Sequence, residues 1–312
     1  MLANKATRPS AAVQSRDDVE DHLLPVVPRR RPGRWVAGIV MALATIWFIL
    51  SAAENPNFEW DVVAAYVFSP TILQGLWLTI WLTVVSMLIG TVIGTVCASM
   101  RISTNVFLRI PASAYVWLFR GTPILVQLIF WFNLAIIVPI VYLKLPFGPV
   151  LYQASANDLI TPYTAALLGL GLNEGAYMSE IVRAGILSVD PGQREAARAL
   201  GMTQGRIMRR IVLPQAIRII IPPTGNQIIS MLKTTSLVSV IALSDLLYSV
   251  QNISSRTFQT IPLLLVACVW YLAATTVLSF LQGLVEKAFA PKDVAAGGAA
   301  AVLAAKLNGA AP

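Results

Sequence analysis

Residues 72–100 form one continuous stretch without a charged side chain. A transmembrane helix needs about 20 predominantly apolar residues, so this stretch is long enough to cross a bilayer. The rest of the chain fits the same environment, because 56% of its 312 residues are hydrophobic and only 12% are charged. A soluble domain has about 25% charged residues. The composition therefore argues against a soluble globular protein and a disordered one, and it favours a polytopic membrane protein.

Five further apolar stretches are predicted to span the membrane. They cover residues 35–53, 124–143, 163–187, 224–246 and 262–285. The first of them has a competing interpretation as a signal peptide, because Ser51-Ala52-Ala53 resembles a small-residue cleavage site. The stretch is longer than a usual signal-peptide core and follows a long leader, which favours a retained helix.

The lysines and arginines predict the orientation of these helices. They are concentrated in the N-terminal tail, between residues 101 and 120, between residues 183 and 218, and after residue 286, whereas the alternate loops hold only Lys144 and Arg256. Cytoplasmic loops are enriched in Lys and Arg, so the pattern predicts six helices with both termini in the cytoplasm. The net charge of +8 is thus explained by topology, and nucleic-acid binding is not indicated.

Several residue types needed for common active sites are scarce. His22 is the only histidine, which argues against histidine metal sites and Ser-His-Asp triads. Cys97 and Cys268 lie in apolar stretches, where free thiols are expected rather than a disulfide framework. The sequence contains no Gly-Lys dipeptide and hence no Walker A phosphate loop. We expect no catalytic residue, no metal site and no cofactor bound by this chain.

The domain organisation follows from these patterns. Four parts are predicted: a basic disordered tail (1–34), an extra transmembrane helix (35–53), a membrane domain (70–287) and a flexible Ala/Gly-rich tail (291–312). Within the second helix, Gly90 and Gly94 are four residues apart, which either allows close helix packing or reflects the general abundance of glycine in membrane helices.

The most informative segment is the charged loop 188–220, on the predicted cytoplasmic side. Asp190-Pro191 is typical of a helix start and Gly201 of a helix end. Thr203 can cap a second short helix that would stop at Pro214. Such a helical hairpin is either a solvated loop whose arginines meet anionic lipid, or a docking element for a cytoplasmic protein.

This loop resembles the EAA loop of ABC importer permeases, whose pattern is EAA-x3-G-x9-I-x-LP. Every specified position of that pattern is matched, by Glu195, Ala196, Ala197, Gly201, Ile211, Leu213 and Pro214. Four other segments are similar to the polar amino acid branch of the histidine/glutamine type. They are TILQGLWLTIWLT (71–83), FRGTPILVQ (119–127), EIVRAGILSV (180–189) and LKTTSLVSVIALSDLL (232–247).

The resemblance implies an all-α, type I importer permease fold with a five-helix core, to which residues 35–53 add one helix. It also implies the partners: two ATPase subunits that hold ATP and Mg, an extracytoplasmic amino-acid-binding protein, and a second permease subunit that is either identical or a paralogue. The loop around Glu195 would dock into the ATPase. The protein would lie in the bacterial inner membrane and import a polar amino acid by alternating access.

Charged and polar residues inside the predicted spans are candidates for the translocation pathway, because ionisable groups in a bilayer usually face a cavity or a partner. The candidates are Asn173, Glu174, Glu180, Arg183, Lys233, Thr234 and Ser236. Glu180 and Arg183 are three residues apart and can pair on one helix face. Glu174 and Lys233 are predicted at similar depth, where they would pair with each other or bind the two ends of a zwitterion; alternatively, Lys233 points to the cytoplasmic cavity.

A secondary transporter driven by an ion gradient is the main alternative function. Six spans and buried charges would fit it equally well, but such a carrier does not need an EAA loop. An intramembrane enzyme is disfavoured, since no predicted span contains histidine or a convincing nucleophile with its base.

Overall fold

The computed structural model describes residues 32–144 and 149–289. The tails predicted for residues 1–34 and 291–312 therefore lie almost entirely outside the described residues. The chain divides into two units, Met1–Pro56 and Asn57–Pro312. In the first unit, one helix covers the predicted extra span and is named α1 (Pro32–Glu54). A short 3-10 turn, Pro56–Phe58, follows it.

The second unit is mostly helical. Its helices are α2 (Trp60–Tyr66), α3 (Pro70–Ile102), α4 (Val106–Gly121), α5 (Ile124–Phe132), α6 (Leu134–Ile137), α7 (Ala156–Leu159), α8 (Pro162–Leu187), α9 (Pro191–Ala199), α10 (Gln204–Ile207), α11 (Leu213–Thr234), α12 (Leu246–Thr257) and α13 (Thr260–Phe289). A π-helical turn, Met208–Val212, joins α10 to α11, and a 3-10 segment, Thr235–Ile241, follows α11. Two antiparallel strands, β1 (Ile140–Lys144) and β2 (Val150–Ser155), form a hairpin.

Three helices of the described residues are long and apolar enough to cross a membrane: Gly33–Glu54, Pro70–Ile102 and Thr260–Phe289. Two bent helix pairs raise this number to five if each pair is one span. Helix α8 has the length of a span, with 26 residues, although it carries three charged side chains. The count of six spans and the cytoplasmic placement of both termini stay predictions.

The predicted helix over 124–143 is wrong. Helix α5 ends at Phe132, and β1 occupies the second part of that stretch. Pro139 explains the difference, because proline cannot donate the helical hydrogen bond and biases the preceding residue towards extended backbone. Val138 indeed has φ −124° and ψ 82°. Helix α4 instead forms the bent pair with α5, and the two meet at an angle of 103°.

The predicted helix stop at Pro214 is also wrong. The chain stays helical through the π turn and into α11, where Pro214 occupies the first turn. A proline in the first turn of a helix lacks an N–H that would have no intrahelical partner there anyway. Pro222 and Pro223 are likewise inside α11 rather than at a break.

The core of the second unit is built on close packing of α3 against α8. A Cβ atom added at Gly90 would lie 2.5 Å from Cγ of Glu174, and one added at Gly94 would lie 2.5 Å from Cβ of Met178. Any side chain at these two positions would therefore separate the helices. The close-packing interpretation of the two glycines is confirmed.

The predicted span 224–246 is divided at its outer part. Ala242 adopts the left-handed conformation with φ 55°, and the buried Asp245 begins α12 by accepting hydrogen bonds from the backbone N–H groups of Leu247 and Tyr248. Tyr271 on α13 donates to the same carboxylate at 3.4 Å. These contacts hold a break between the 3-10 segment and α12.

Candidate functional site

The predicted docking loop forms a short, exposed helix, α9. The Asp190 carboxylate caps its N-terminus by accepting from the Gly192 N–H at 2.7 Å. Gly201 follows the helix with φ +77°, a conformation in which any side chain is strained. Glu195 is exposed, and so is the apolar side chain of Leu200, at 83%. The helix and its C-cap residue thus expose a carboxylate and an apolar side chain.

The opposite side of this loop is anchored to the membrane domain. Ala197 is buried in the core, together with Val212 just before α11. The Arg194 guanidinium donates to the carbonyl oxygens of Ile186 and Val189, at the end of α8. These hydrogen bonds join α9 directly to the C-terminal end of α8.

A second attachment joins α9 to the start of α11. Gln215 Nε2 donates to Gln193 Oε1 at 2.6 Å and to the Ile211 carbonyl at 2.9 Å. The other motif residues lie in the same stretch: Ile211 and Leu213 are half-buried, and Pro214 is exposed. The motif therefore builds a junction between the exposed helix and two helices of the membrane domain.

A polar cavity of about 450 Å³ lies within the membrane domain. Three elements line it: the break between α4 and α5, one face of α8, and one face of α11. The lining residues are Arg120, Gly121, Thr122, Pro123, Ile124, Asn173, Glu174, Tyr177, Gln227, Ser230, Met231 and Thr234. Small-molecule sites typically occupy roughly 300–1,000 Å³, so the cavity has room for a small metabolite.

The break between α4 and α5 is held open by two amide side chains. Asn173 Nδ2 donates to the Phe119 carbonyl at 2.9 Å and to Gln127 Oε1 at 3.2 Å. Gln127 Nε2 donates to the carbonyl oxygens of Phe119 and Thr122 and to the Thr122 hydroxyl. Non-helical backbone at membrane depth requires such partners. Asn173 thus fixes the break next to Glu174 on α8.

Among the residues that the structure describes, Glu174 is the only acidic one lining this cavity, and it is 3% exposed. Its two carboxylate oxygens accept from Gln227 Nε2 at 3.3 and 3.2 Å. A buried carboxylate is costly unless a cation or several donors stabilise it. One amide is weak compensation, so this group is suited to bind a cation.

A second charged cluster lies along the same helix, towards its C-terminus. Glu180 Oε1 accepts from Arg101 at 2.8 Å and lies 3.4 Å from Arg120, while its Oε2 accepts from Arg183 at 3.1 and 2.9 Å. The predicted pairing of Glu180 with Arg183 is present. The Arg120 guanidinium also lies 5.3 Å from the centroid of the Tyr177 ring.

The structure brings together only some of the predicted pathway residues. Asn173, Glu174 and Thr234 line the cavity, whereas Lys233, Ser236, Glu180 and Arg183 do not. The Lys233 side chain is exposed, and no contact with Glu174 is found among the described residues. Ser236 donates to the Lys233 carbonyl at 2.7 Å. Depth along a helix does not say which face a side chain occupies, and here the two charges occupy different surroundings.

Sequence reasoning missed most of the residues that line the cavity, among them Arg120 and Gln227. A signal for Arg120 was available, because it directly precedes the Gly121-Thr122-Pro123 turn, and helix breaks in membranes commonly line cavities. No comparable signal marks Gln227, which is one polar residue among several on α11.

Comparison with known proteins gives relatives for most of the chain. Residues 90–291 match the family described as the inner membrane component of binding-protein-dependent transport systems. An arginine transport system permease of Corynebacterium glutamicum is 45% identical over 263 residues, covering 84% of this chain and 82% of the relative. The glutamine transport system permease of Escherichia coli K12 is 34% identical over 232 residues, 74% of this chain and 97% of the relative.

Solved structures agree with this family. The crystal structure of an amino acid ABC transporter with histidines has a chain that is 35% identical, with a TM-score of 0.63 and coverage of 73% of this chain and 98% of that chain. A methionine ABC transporter in an inward-facing conformation shares the fold at 20% identity and a TM-score of 0.57. The predicted family, the type I permease fold and the inner-membrane location are thereby confirmed. This chain belongs to the inner membrane components of binding-protein-dependent transport systems.

Proposed function

We propose that this chain is the permease subunit of an ATP-driven importer that carries an amino acid with a cationic side chain into the cytoplasm. The observation that carries the proposal is the polar cavity, where Arg120 and Glu174, the two charged lining residues in the described part of the chain, have opposite signs. A zwitterionic metabolite presents a carboxylate to the first and a cationic group to the second.

The electrostatics favour a cation beside Glu174. In the described residues, the hydrogen-bond donor to its carboxylate is a neutral amide, from Gln227. A substrate cation would replace the lost hydration of the carboxylate with a charge-assisted hydrogen bond. An acidic substrate would instead place like charges together in a buried site, which costs free energy.

The names of the relatives support the same substrate class. One relative, 45% identical, is an arginine permease of Corynebacterium glutamicum. Another, 36% identical over 239 residues, is an octopine permease of Rhizobium radiobacter. Glutamine is the substrate named for the Escherichia coli relative, so the relatives carry both charged and uncharged amino acids.

Energy for transport comes from partner subunits in this proposal. The sequence has no Gly-Lys dipeptide and thus no Walker A loop, so ATP and Mg bind to two ATPase subunits that dock on α9. The attachments of Arg194 and Gln215 join α9 to α8 and α11, which carry Glu174 and Gln227. Closure of the ATPases would then move two walls of the cavity. An extracytoplasmic binding protein delivers the amino acid, and a second permease subunit, identical or paralogous, completes the pathway.

The test is ATP-dependent uptake by the complex reconstituted in proteoliposomes with its ATPase and binding protein. Arginine uptake is expected to require ATP on the ATPase side and to exceed aspartate uptake. Glu174→Gln should lower the maximal rate of arginine uptake, measured with saturating binding protein, by roughly 10-fold or more, the value of a charge-assisted hydrogen bond. Glu286→Gln is the matched control, because that carboxylate lies on α13 and does not line the cavity.

Two results would overturn the proposal. Uptake that follows a proton or sodium gradient without the ATPase would favour the secondary-transporter alternative. Equal uptake of arginine and aspartate by the wild type, unchanged in Glu174→Gln, would remove the cavity from substrate selection.

A further inference from the structure

The charge cluster around Glu180 contains more cations than it can neutralise. Three guanidinium groups, from Arg101, Arg120 and Arg183, contact this one carboxylate. Surplus positive charge inside a membrane domain is costly unless an anion offsets it. The cluster is therefore suited to receive a second anion.

Of the three arginines, Arg120 makes the longest contact with the Glu180 carboxylate. Its nitrogen lies 3.4 Å from the Glu180 carboxylate, whereas Arg101 and Arg183 approach to 2.8 and 2.9 Å. Charge-assisted N–H···O hydrogen bonds are usually about 2.7–2.9 Å long. Both oxygens of Glu180 keep a close donor without Arg120, so Arg120 can leave without exposing an unpaired carboxylate.

Arg120 is also the most accessible of the three. Its side chain is 42% exposed, compared with 16% for Arg101 and 34% for Arg183. It lines the polar cavity, as does Tyr177, whose ring lies under the guanidinium. The aromatic ring supports a cation that has left an ion pair. The side chain is thus positioned between Glu180 and the cavity.

The separation of Glu174 and Glu180 along α8 limits which substrates can reach both Glu174 and Arg120. Glu174 and Glu180 are six residues apart, which places them about 9 Å apart along a helix and about 120° apart around it, so the two carboxylates leave the helix at least that far from each other. In an amino acid, the α-nitrogen and the carboxyl carbon are separated by only about 2.5 Å. A carboxylate near the Glu180 end and a cation at Glu174 therefore match an amino acid whose cationic group is at the far end of a long side chain.

We propose that Arg120 is a specificity-determining residue that exchanges Glu180 for the α-carboxylate of the substrate. In the empty cavity, the Arg120 guanidinium pairs with the Glu180 carboxylate. In the loaded cavity its guanidinium binds the substrate carboxylate, while Arg101 and Arg183 neutralise Glu180. This inference rests on the proposed function, since it assigns a role to the other end of the same substrate.

The experiment measures substrate binding directly on the permease. The full chain is assembled with its ATPase in lipid nanodiscs, without nucleotide and without the binding protein, whose own recognition of carboxylates would otherwise dominate. Radiolabelled L-arginine is bound at equilibrium and displaced by L-arginine, by its methyl ester, or by agmatine, which lacks the carboxylate. Wild type should prefer arginine over agmatine by roughly 10-fold or more, as expected for a charge-assisted hydrogen bond.

Arg120→Gln should reduce this preference to less than about threefold while leaving agmatine affinity nearly unchanged. Arg109→Gln is the matched control, because Arg109 is exposed on the same helix and does not line the cavity; it should keep the wild-type preference. Arg120→Lys should retain part of the preference, since it keeps the charge but loses the bidentate geometry. It also provides a second test if Arg120→Gln fails to assemble with the ATPase.

The possible failures are distinguishable. If Arg120→Gln and Arg120→Lys weaken arginine and agmatine equally, Arg120 has only a structural role and the exchange is wrong. If both variants keep the full preference, the carboxylate binds elsewhere and the exchange is again wrong. If wild type binds neither arginine nor agmatine, the proposed substrate class itself fails.

Discussion

The charged loop 188–220 and the polar cavity differ in how far apart in the sequence their residues lie. The loop residues from Asp190 to Gln215 lie within one short segment, and their contacts are mostly with each other or with the adjoining ends of α8 and α11. The cavity collects residues from three separate parts of the chain, near positions 120, 174 and 230. A function carried by a local segment leaves a motif in the sequence, whereas one assembled from distant helices does not.

The two regions also differ in what their charges contact. Glu195 on the loop is exposed, where a charge is hydrated and available to a partner. Glu174 in the cavity is 3% exposed, where the loss of hydration makes its interactions stronger. Changes in the loop should therefore affect energy coupling, and changes in the cavity should affect substrate selection.

The largest effect is expected from the loop. Glu195→Lys should reverse the charge presented to the ATPase, and Gly201→Val should disfavour the left-handed backbone at φ +77°. Both variants should insert into the membrane but lose ATP-driven uptake by at least roughly 10-fold, measured in proteoliposomes. A Cβ at Gly201 would meet nothing within 4 Å, so an effect there comes from the backbone and not from a clash. Normal coupling in both variants would remove the loop from the mechanism.

An intermediate effect is expected where α3 meets the cavity wall. Gly90→Ala places a Cβ 2.5 Å from Cγ of Glu174 and 3.1 Å from the Gly175 backbone nitrogen. Such overpacking should lower the free energy of unfolding by about 1–3 kcal/mol and displace the carboxylate. The measurements are thermal stability in detergent and arginine binding. Gly283→Ala is the control, because a Cβ there meets nothing within 4 Å; equal behaviour of the two variants would show that α3 does not position Glu174.

The smallest effect is expected at Lys233. Its side chain is exposed and does not line the cavity, so Lys233→Met should change arginine affinity by less than about twofold, as expected for a charge without a close partner. The double variant with Glu174→Gln should behave like Glu174→Gln alone, since residues out of contact act additively. Recovery of binding in the double variant would instead establish a pair between these charges.

The same difference between local and long-range contacts explains which predictions for individual residues were right. Asp190 and Gly201 were predictable as helix boundaries, because capping depends on residues within one or two positions. The stop predicted at Pro214 was wrong, because the π turn before it shifts the hydrogen-bond register and lets the proline enter the first turn of α11. A pair between Glu174 and Lys233 was one of the alternatives that the sequence left open, and the cavity contains Arg120 instead of Lys233. The depth of a residue along a helix can be estimated from the sequence, whereas the face that it occupies cannot.

The sequence alone determined the membrane environment, the family and the boundaries of the helix α9, because hydrophobicity, a fixed motif and capping residues are local properties of the chain. Tertiary structure decided which charges share a cavity. That depends on the close approach of α3 and α8 at Gly90 and Gly94, on the break at Gly121-Thr122-Pro123 held by Asn173 and Gln127, and on the face of α11 turned inward. The contacts between helices, such as those of Gly90 with Glu174 and of Asn173 with Phe119, join residues far apart in sequence. The packing free energy of such contacts depends on the shapes of both surfaces and not on either segment alone.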